Sequence, residues 1–330
     1  MTATFAADVT LRTTQTKLAQ IGQWLPIDGD ADCPLGDLIS FNSTGPLRFG
    51  YGAWRDLLLG VQFTNGRGEL ISAGGRTVKN VAGYDLTKFM VGSAGVFGKI
   101  VTLTVRTYRR PAAALVARHR ADVGILNRLM LTALRPQWAM LTADGLLCGY
   151  LGDERTIEYF RATVGQSEPL AVEQRSVDED IAARGRLWRA HGPLTFRAAV
   201  PPMRIAEFAA KAGGEWIADA AFGIVLGSSV QSDRIASVRE AAASVGGSVR
   251  FLRRAESTGQ AQPTDPHPDP PPEYRWRGKE GVPPTKDGDT PGEFSLADLS
   301  TNPVERQIIE RLKSAFDPDG VLNPLPWQTR

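Results

Sequence analysis

The feature that most limits the fold of this 330-residue chain is a proline-rich stretch near its C-terminal end. Nine of the 22 prolines lie within residues 263–291, where the large apolar residues are only Tyr274, Trp276 and Val282. Proline fixes φ and removes a backbone donor, and so few apolar side chains cannot form a core. We predict a disordered insertion over residues 256–296, with a proline-rich docking ligand as the alternative.

Composition excludes several classes of protein. Thirty-eight basic and 36 acidic residues give a net charge of +2, which argues against a nucleic-acid partner. Cys33 and Cys148 lie in unrelated contexts and give no metal-ligand or iron–sulfur spacing, so no metal site is predicted. The sequence has no leader-like start and no uncharged apolar run of about 18 residues. We expect a soluble cytoplasmic protein without direct membrane insertion, which would reach a membrane only through partners.

Ahead of residue 111, apolar patterns alternate with glycine-rich turns, as in a domain that contains both helices and strands. The predicted elements are a helix over Thr14–Leu25, a buried strand over residues 57–64, a returning strand over residues 69–73, a helix over residues 85–91 and a strand from Lys99. In that last strand Val101, Leu103 and Val105 alternate with polar residues, so we expect them to face the core. Pro111 marks a domain boundary.

The same order of elements occurs twice between residues 113 and 251. Each pass has a strand, a helix, a hairpin and a second helix, with the hairpins over residues 138–151 and 216–226. This βαββα(β) repetition, in which only the second pass has a predicted final strand, ending at Phe251, predicts two ferredoxin-like units that share an antiparallel sheet with helices on one face. We therefore expect an α+β domain over residues 112–255.

One more helix is predicted in a C-terminal segment over residues 297–330. Asn302 is a suitable N-cap, and Pro303 suits the first helical position. An apolar stripe recurs at every fourth residue, at Val304, Ile308, Leu312 and Phe316. We expect this stripe to dock the helix back on the first domain.

Two segments contain more glycine than a core needs, residues 35–52 and residues 74–102. In the second, Gly92, Gly95 and Gly98 recur every three residues between a predicted helix and a predicted strand. Bare backbone lets a ligand approach closely, so a bound nucleotide is one hypothesis. The spacing matches neither the Walker nor the Rossmann phosphate loop, so tight turns and close packing are the other.

The stretch VKNVAGYDLTKFMVGSAGVFGKIVTLTVRTYRRP, residues 78–111, resembles the second lobe of the FAD-binding domain of glycolate oxidase subunits, most closely the E-subunit type. RDLLLGVQFTNGRGEL, from Arg55, and LKSAFDPDGVLNP, residues 312–324, resemble two further stretches of that family. The resemblance covers about residues 11–111 and roughly the last thirty residues. It implies an FAD-linked oxidase of the vanillyl-alcohol-oxidase/PCMH type, with an FAD-binding PCMH-type domain over residues 1–111 and the α+β domain as its cap.

The resemblance also implies roles for individual residues. The loop facing the flavin and the pyrophosphate would contain Ser40, Asn42 and Gly45. The ADP end would lie near Gly92, Gly95, Gly98 and the backbone of Ile100. Four residues occupy hallmark positions of the family, namely Lys79, Asn80, Tyr84 and Asp85. We expect them to have a structural role, with positioning of the cofactor as the alternative.

Two departures from the family accompany the resemblance. The family begins with a whole first lobe that carries a glycine-rich pyrophosphate loop, so the resemblance implies a truncated FAD-binding domain that contains only the second lobe. Where relatives tend to read TGGxxAxNAGG, this chain has Leu35-Gly36-Asp37 and then residues 42–45. Asp37 would put a carboxylate beside an anionic ligand, which is unfavourable unless the carboxylate is paired.

Catalytic groups are harder to assign. Oxidation of a 2-hydroxy acid needs a hydride acceptor, a base and a cation for the carboxylate, and a flavin supplies only the first. Surface or packing roles are predicted for His119 and His191, and a solvated side chain for His267. Three arginines, Arg48, Arg55 and Arg76, could bind a phosphate or a carboxylate. The alternative is that their side chains are solvated. No catalytic residue is assigned.

The function implied by the resemblance is that of an FAD-binding oxidoreductase subunit in a glycolate or 2-hydroxy-acid oxidase complex. Its implied partners are a D-like flavoprotein subunit and an F-like iron–sulfur subunit. Two alternatives stay open. One is a scaffold subunit of the same complex that has lost FAD, and the other is a stand-alone FAD oxidoreductase of different specificity.

Overall fold

The computed structural model describes residues 1–75, 85–188, 194–229, 234–254 and 303–325. These residues form two compact units. The first contains the described residues within Met1–Thr44, Gly52–Arg110 and Thr264–Arg330, and the second those within Gly45–Tyr51 and Pro111–Pro263. The insertion predicted over residues 256–296 lies outside the described residues.

Both units contain strands and helices. The strands are β1 (Thr2–Ala6), β2 (Gln23–Trp24), β3 (Leu58–Thr64), β4 (Leu70–Gly74), β5 (Lys99–Arg106), β6 (Tyr108–Arg109), β7 (Ala113–His119), β8 (Trp138–Thr142), β9 (Gly145–Gly152), β10 (Ala171–Ser176), β11 (Leu194–Ala199), β12 (Glu215–Asp219), β13 (Ile224–Ser229) and β14 (Ser248–Arg254). The helices are α1 (Leu11–Ala19), α2 (Leu35–Ser40), α3 (Arg48–Tyr51), α4 (Trp54–Leu57), α5 (Leu86–Met90), α6 (Val123–Met130), α7 (Glu154–Val164), α8 (Val177–Leu187), α9 (Ile205–Ala212), α10 (Ile235–Ser244) and α11 (Pro303–Phe316). Short 3₁₀ turns follow α7 at Gly165–Ser167 and precede α9 at Pro202–Arg204.

The first unit is built on an antiparallel four-stranded sheet with the order β1-β5-β3-β4. Strands β3 and β4 form the predicted hairpin, each within one residue of its expected bounds. Helix α5 confirms the predicted short helix, and Asp85 caps it by accepting a hydrogen bond from the Lys88 amide. Sheet and helices share one apolar core, which includes Trp54, Phe63 and Leu103.

Strand β5 corrects one prediction about inward-facing residues. Leu103 and Val105 are buried as expected, but Val101 is 40% exposed and its neighbour Ile100 is buried. The register of β5 against β3 shifts opposite this position, as in a β-bulge. An extra residue in one strand reverses the side-chain alternation, so Val101 turns outwards and Ile100 takes its place.

Helix α1 begins and ends earlier than the predicted helix over Thr14–Leu25. The Thr10 side chain accepts a hydrogen bond from the Thr13 amide and so starts the helix three residues sooner. Gly22 adopts a φ of +65°, which interrupts any continuation, and β2 then pairs with β6. Ile21, two residues after the end of α1, is 64% exposed.

The second unit contains one antiparallel eight-stranded sheet with the order β10-β7-β9-β8-β12-β13-β11-β14. Each half of this sheet repeats the succession of strand, helix, hairpin, helix and strand. If the four strands of each half are numbered along the chain, their order across the sheet is fourth, first, third and second. The second strands of the two halves, β8 and β12, pair with each other in the middle of the sheet. Helices α6, α7, α9 and α10 contribute side chains such as Phe160 and Phe208 to the core of this sheet.

Strand β10 and helix α8 were not predicted, and both lack an apolar pattern. Strand β10 lies at the edge of the sheet, and most of its AVEQRS residues are exposed. Helix α8 buries an ion pair between Asp180 and Arg184 rather than a continuous apolar stripe. Because sequence patterns identify elements by their buried apolar residues, an exposed edge strand and a helix with a charged buried face escape them.

Helix α11 begins at Pro303 as predicted, but its docking face differs from the prediction. Val304 and Ile308 are 62% and 52% exposed, whereas Leu312 and Phe316 pack against the first unit together with Ile309. Residues four apart lie about 40° apart around a helix, so the four stripe residues span about 120°, and the contacts of α11 lie on the side of Leu312, Phe316 and Ile309. Asn302, the predicted N-cap, lies outside the described residues.

Candidate cofactor site

An open cavity of about 630 Å³ lies in the first unit. Its walls come from the end of β1, the first turns of α2, the glycine loop before β5 and the start of β5, with Asn323 from the segment after α11. The volume falls in the range of about 300–1,000 Å³ that is usual for small-molecule and cofactor pockets.

The structure brings four of the seven predicted cofactor residues together in the wall of this cavity. These are Ser40, Gly95, Gly98 and Ile100. Asn42 and Gly92 lie outside the lining, next to each other, where both backbone amides donate to the Ile39 carbonyl. Gly45 belongs to the second unit.

Backbone geometry explains why glycines are needed in this loop. Gly92 and Gly95 adopt φ values of +80° and +72°, which side chains rarely tolerate. Glycine is needed at position 98 for a different reason, since a Cβ added to Gly98 would lie 2.5 Å from the Phe63 ring and 2.9 Å from the Thr64 carbonyl oxygen. Tight turns and close packing therefore account for these glycines, and two of them also leave bare backbone at the cavity.

The loop between Gly92 and Gly98 is held from two sides. The Ala94 amide donates to the Ser40 carbonyl over 2.8 Å, and the Asn323 side-chain amide donates to the Ala94 carbonyl, also over 2.8 Å. Ala94 itself adopts a φ of +50°, which is uncommon for a residue with a side chain. Hydrogen bonds from both neighbours thus fix a strained backbone in the cavity wall.

A buried lysine anchors the segment after α11. The Lys313 ammonium forms an ion pair with Asp317 and donates to the carbonyls of Val96 and Asn323, over 3.0 and 2.9 Å. The Asp317 carboxylate also accepts hydrogen bonds from the amides of Val321 and Leu322. Polar contacts of Lys313 therefore attach the stretch LKSAFDPDGVLNP to the glycine loop at Val96. The sequence analysis identified this stretch by its resemblance to the family, but it did not assign Lys313 or Asn323 to the site.

Charged groups line the cavity unevenly. Asp8, Asp37 and Lys99 all contribute to its wall. Burial raises the pKa of the Asp37 carboxyl, while the positive charge of Lys99 acts in the opposite direction. Within the described residues, the Asp37 carboxylate accepts no hydrogen bond.

The start of α2 does not offer its backbone amides to a ligand. The Leu35 amide donates to the Val9 carbonyl, and the Gly36 amide donates to the Ala7 carbonyl. An added Cβ at Gly36 would lie 2.9 Å from the Ala7 Cβ, so this glycine is required for packing. A phosphate in this cavity would have to be bound by side chains and by the glycine loop.

Among the four hallmark residues, Asp85 is the one that the structure describes. Its carboxylate caps α5, accepts a hydrogen bond from the Thr87 hydroxyl and lies 3.2 Å from the Lys88 ammonium. These contacts agree with a structural role. Outside the described residues lie Lys79, Asn80 and Tyr84, together with Arg76.

Arg48, considered as an anion-binding residue, has a structural partner in the second unit. Its Nε donates to Asp219 over 3.2 Å, and its guanidinium lies 3.9 Å from the centre of the Phe222 ring. Burial raises the pKa of Asp219 to about 6, and Arg48 opposes this rise. Arg48 is therefore paired with a carboxylate of the second unit and its side chain is 20% exposed, whereas Arg55 is exposed.

His119 is fully buried on β7 in the second unit. Burial lowers its pKa below the ordinary value of 6.5, so the folded protein holds a neutral imidazole. The packing role predicted for this histidine agrees with its burial. His191 and His267 lie outside the described residues.

His119 should make folding sensitive to acid. The unfolded chain protonates this imidazole below about pH 6.5, whereas the folded chain resists protonation, so stability should fall as pH falls through this window. We expect the free energy of unfolding to drop more between about pH 7 and about pH 5 in the unsubstituted protein than in His119→Gln. Denaturant unfolding at both pH values measures this difference. Equal drops would contradict the burial of a neutral histidine.

Neither metal clusters nor membrane-spanning helices are found in the described part of the chain. Within the described ranges, no group of three histidine, cysteine or acidic side chains is arranged to hold a metal ion. The helices described there are too short or too polar to cross a bilayer.

Comparison with known proteins gives partial sequence matches. No family model matches the chain. Glycolate oxidase subunit GlcE of Escherichia coli is 34% identical over 116 residues, which cover 34% of this chain and 33% of that protein. Glycolate oxidase subunit GlcD of Bacillus subtilis is 38% identical over 77 residues, 23% of this chain and 16% of that protein. An uncharacterized FAD-linked oxidoreductase of Mycobacterium tuberculosis is 33% identical over 82 residues, 25% of this chain and 18% of that protein.

A solved structure shows similarity of fold. Alkyldihydroxyacetonephosphate synthase superposes with a TM-score of 0.57 at 13% identity, over 75% of this chain and 60% of that one. At this identity the likeness concerns the fold alone. The sequence matches span a third or less of each relative's length. Over about a third of the chain, they confirm its resemblance to glycolate oxidase subunits and FAD-linked oxidoreductases.

Proposed function

We propose that this chain is an FAD-binding subunit of a glycolate or other 2-hydroxy-acid oxidase or dehydrogenase complex. The observation that carries the proposal is the cavity in the first unit, whose wall includes Ser40, Gly95, Gly98 and Ile100. The similarity to GlcE and GlcD supports the substrate class and the membership of a complex.

The cavity suits a flavin nucleotide in size and in part of its chemistry. Its volume is that of an ordinary cofactor pocket, and bare backbone at Gly95 and Gly98 lets a flat ligand approach closely. Ser40 and Lys99 provide a hydroxyl and an ammonium for the polar parts of the ligand. We propose that these residues, with Ile100, hold the nucleotide.

A bound flavin supplies a hydride acceptor. The base and the cation that this oxidation also needs are not assigned to the chain, because His119 is buried and Arg48 is paired with Asp219 in the second unit. We propose that a D-like flavoprotein subunit supplies these groups and that an F-like iron–sulfur subunit passes electrons on. In this proposal the complex is cytoplasmic, and any contact with a membrane comes through the partners.

The proposal also covers the architecture of the second unit. We propose that the sheet of the second unit consists of two ferredoxin-like units joined through β8 and β12, and that this unit is the cap of a PCMH-type flavoprotein. The strand order in each half supports the first statement. The fold similarity to alkyldihydroxyacetonephosphate synthase supports the second.

A cofactor-free scaffold subunit is the second candidate. The carboxylates of Asp8 and Asp37 in the cavity wall favour it, because both would repel the pyrophosphate of FAD. This candidate predicts a colourless protein that still co-purifies with the D-like subunit.

A cavity-filling substitution tests the main proposal. Ala6 is exposed and lines the cavity, so Ala6→Trp should block it, whereas Thr4→Trp places the same ring on the same exposed face of β1, outside the lining. We expect FAD to bind to the unsubstituted full chain and to Thr4→Trp, and to bind Ala6→Trp at least about tenfold more weakly. Quenching of flavin fluorescence during titration measures the affinities.

Two results would count against this proposal. Equal affinities of the two tryptophan variants would put FAD elsewhere. Absence of flavin from the full chain, both alone and after co-expression with its partners, would favour the scaffold.

A further inference from the structure

We infer that Asn323 is a positioning residue of the candidate cofactor site, because its side chain holds the backbone of Ala94 and Gly95 in a strained turn at the cavity wall. This role rests on the proposed function and adds to it a residue that acts on the nucleotide through the glycine loop. The Asn323 side chain therefore determines how tightly the loop retains its ligand.

Residues 93–96 form a turn that does not suit their sequence. Ala94 and Gly95 adopt successive φ values of +50° and +72°, and the Val96 amide donates to the Ser93 carbonyl over 3.0 Å. Positive φ at both central positions is the pattern of a type I′ turn, in which glycine, asparagine or aspartate usually occupies these positions. A residue with a Cβ is unfavourable in the left-handed region, so the alanine at position 94 opposes the turn.

Two hydrogen bonds hold Ala94 in this conformation. Its amide donates to the Ser40 carbonyl, and its carbonyl accepts from the Asn323 side-chain amide, each over 2.8 Å. The Asn323 side chain also packs against the turn, since a Cβ added to Gly95 would lie 2.9 Å from its Nδ2. Strained backbone persists only where its surroundings fix it, and such strain is concentrated at functional sites.

Asn323 is in turn fixed within its own segment. The Lys313 ammonium donates to the Asn323 backbone carbonyl over 2.9 Å, and the Asp317 carboxylate accepts from the amides of the two preceding residues. The same ammonium donates to the Val96 carbonyl over 3.0 Å. The loop and this segment are thus joined at two points, and the bond from Asn323 acts on the strained residue itself.

The hydrogen bond to Ala94 also fixes a donor in the cavity wall. Gly95 lines the cavity and is half-buried, and within the described part of the chain its amide donates to no acceptor. The Ala94 carbonyl and the Gly95 N–H belong to one planar peptide group, in which they point in opposite directions. By holding the carbonyl, Asn323 therefore sets the direction of the N–H that remains available to a ligand.

A double-mutant cycle on the full-length protein tests this role by titration with FAD. Asn323→Ala should weaken FAD binding about tenfold, because Ala94 then leaves the left-handed region and the peptide group rotates. In the Ala94→Gly background the same substitution should weaken binding by no more than about twofold, since glycine occupies that region without strain. Val321→Ala is the matched control, because it shortens an exposed side chain of the same segment outside the cavity lining and should not change the affinity.

Hydrogen exchange in the ligand-free protein gives a second measurement. The Val96 amide closes the turn, so it should exchange at least about fivefold faster in Asn323→Ala than in the unsubstituted protein. The Ala94→Gly background should reduce this difference. If melting temperatures show that Asn323→Ala does not fold, Asn323→Leu replaces it, because leucine keeps the size of the side chain without its donor.

The outcomes separate this role from the proposed function. Equal FAD affinities of Asn323→Ala and the unsubstituted protein, or equal exchange of the Val96 amide, would overturn the role and leave the proposed function intact. So would an equal loss of affinity in both backgrounds, which would mean that Asn323 contacts the nucleotide directly or only supports packing. Absence of FAD binding by the unsubstituted protein, alone and after co-expression with its partners, would overturn both.

Discussion

Lys313→Met is expected to lower the free energy of unfolding of the first unit by about 3–5 kcal/mol, because it breaks a buried ion pair and leaves its partners without their donor. Methionine keeps the length of the side chain but offers no donor to Asp317 or to the carbonyls of Val96 and Asn323. Urea unfolding of the full chain, followed by tryptophan fluorescence, measures the loss.

A control for this prediction is Lys17→Met, which makes the same replacement at an exposed position on α1. It should change stability by no more than about 0.5 kcal/mol, as exposed substitutions usually do. A loss below about 1 kcal/mol for Lys313→Met would mean that water replaces the ammonium in this cluster.

Arg48→Met is expected to destabilise the second unit by about 3 kcal/mol near pH 8, because Asp219 is then left buried without its counter-charge. The penalty should shrink as pH falls. The pKa of Asp219 is already raised to about 6 by burial, and without Arg48 it rises further, so the lone carboxyl folds in its neutral form. A raised folded-state pKa stabilises the protein at low pH, and this contribution is lost as pH rises through that pKa.

Unfolding measured near pH 8 and near pH 5 tests this prediction. The difference between the unsubstituted protein and Arg48→Met should be smaller at the lower pH, and Arg55→Met, at an exposed position, should show little difference at either. A penalty independent of pH would show that Arg48 stabilises the unit mainly by packing on Phe222.

Local patterns predicted the elements of the fold well where apolar residues define them. The β3–β4 hairpin, β5 and the paired succession in the second unit all follow from alternation and turn residues. The misses have physical causes that no local pattern contains. A β-bulge turned the side chain of Val101 outwards, and α8 buries Asp180 and Arg184 instead of an apolar stripe.

The candidate site was harder to predict because its parts are distant in sequence. Glycine spacing indicated the loop at Gly95 and Gly98, but it did not distinguish packing against Phe63 from contact with a ligand. Asn323 and Lys99 were assigned to the site only from the fold, although Asn323 lies in a stretch that resembles the family. Arg48 was misjudged because its partner, Asp219, lies 171 residues further along the chain.

The hydrogen bonds that hold the glycine loop bear on how this protein matures during biosynthesis. Val96 and Ala94 receive their donors from residues 217 and 229 positions later, after the entire second unit. On the ribosome, the second unit is therefore translated before the loop obtains these donors. In the proposed FAD-binding subunit, the wall of the cavity is therefore complete only after Asn323 has been translated, and a nascent chain halted earlier would lack the donor to the Ala94 carbonyl.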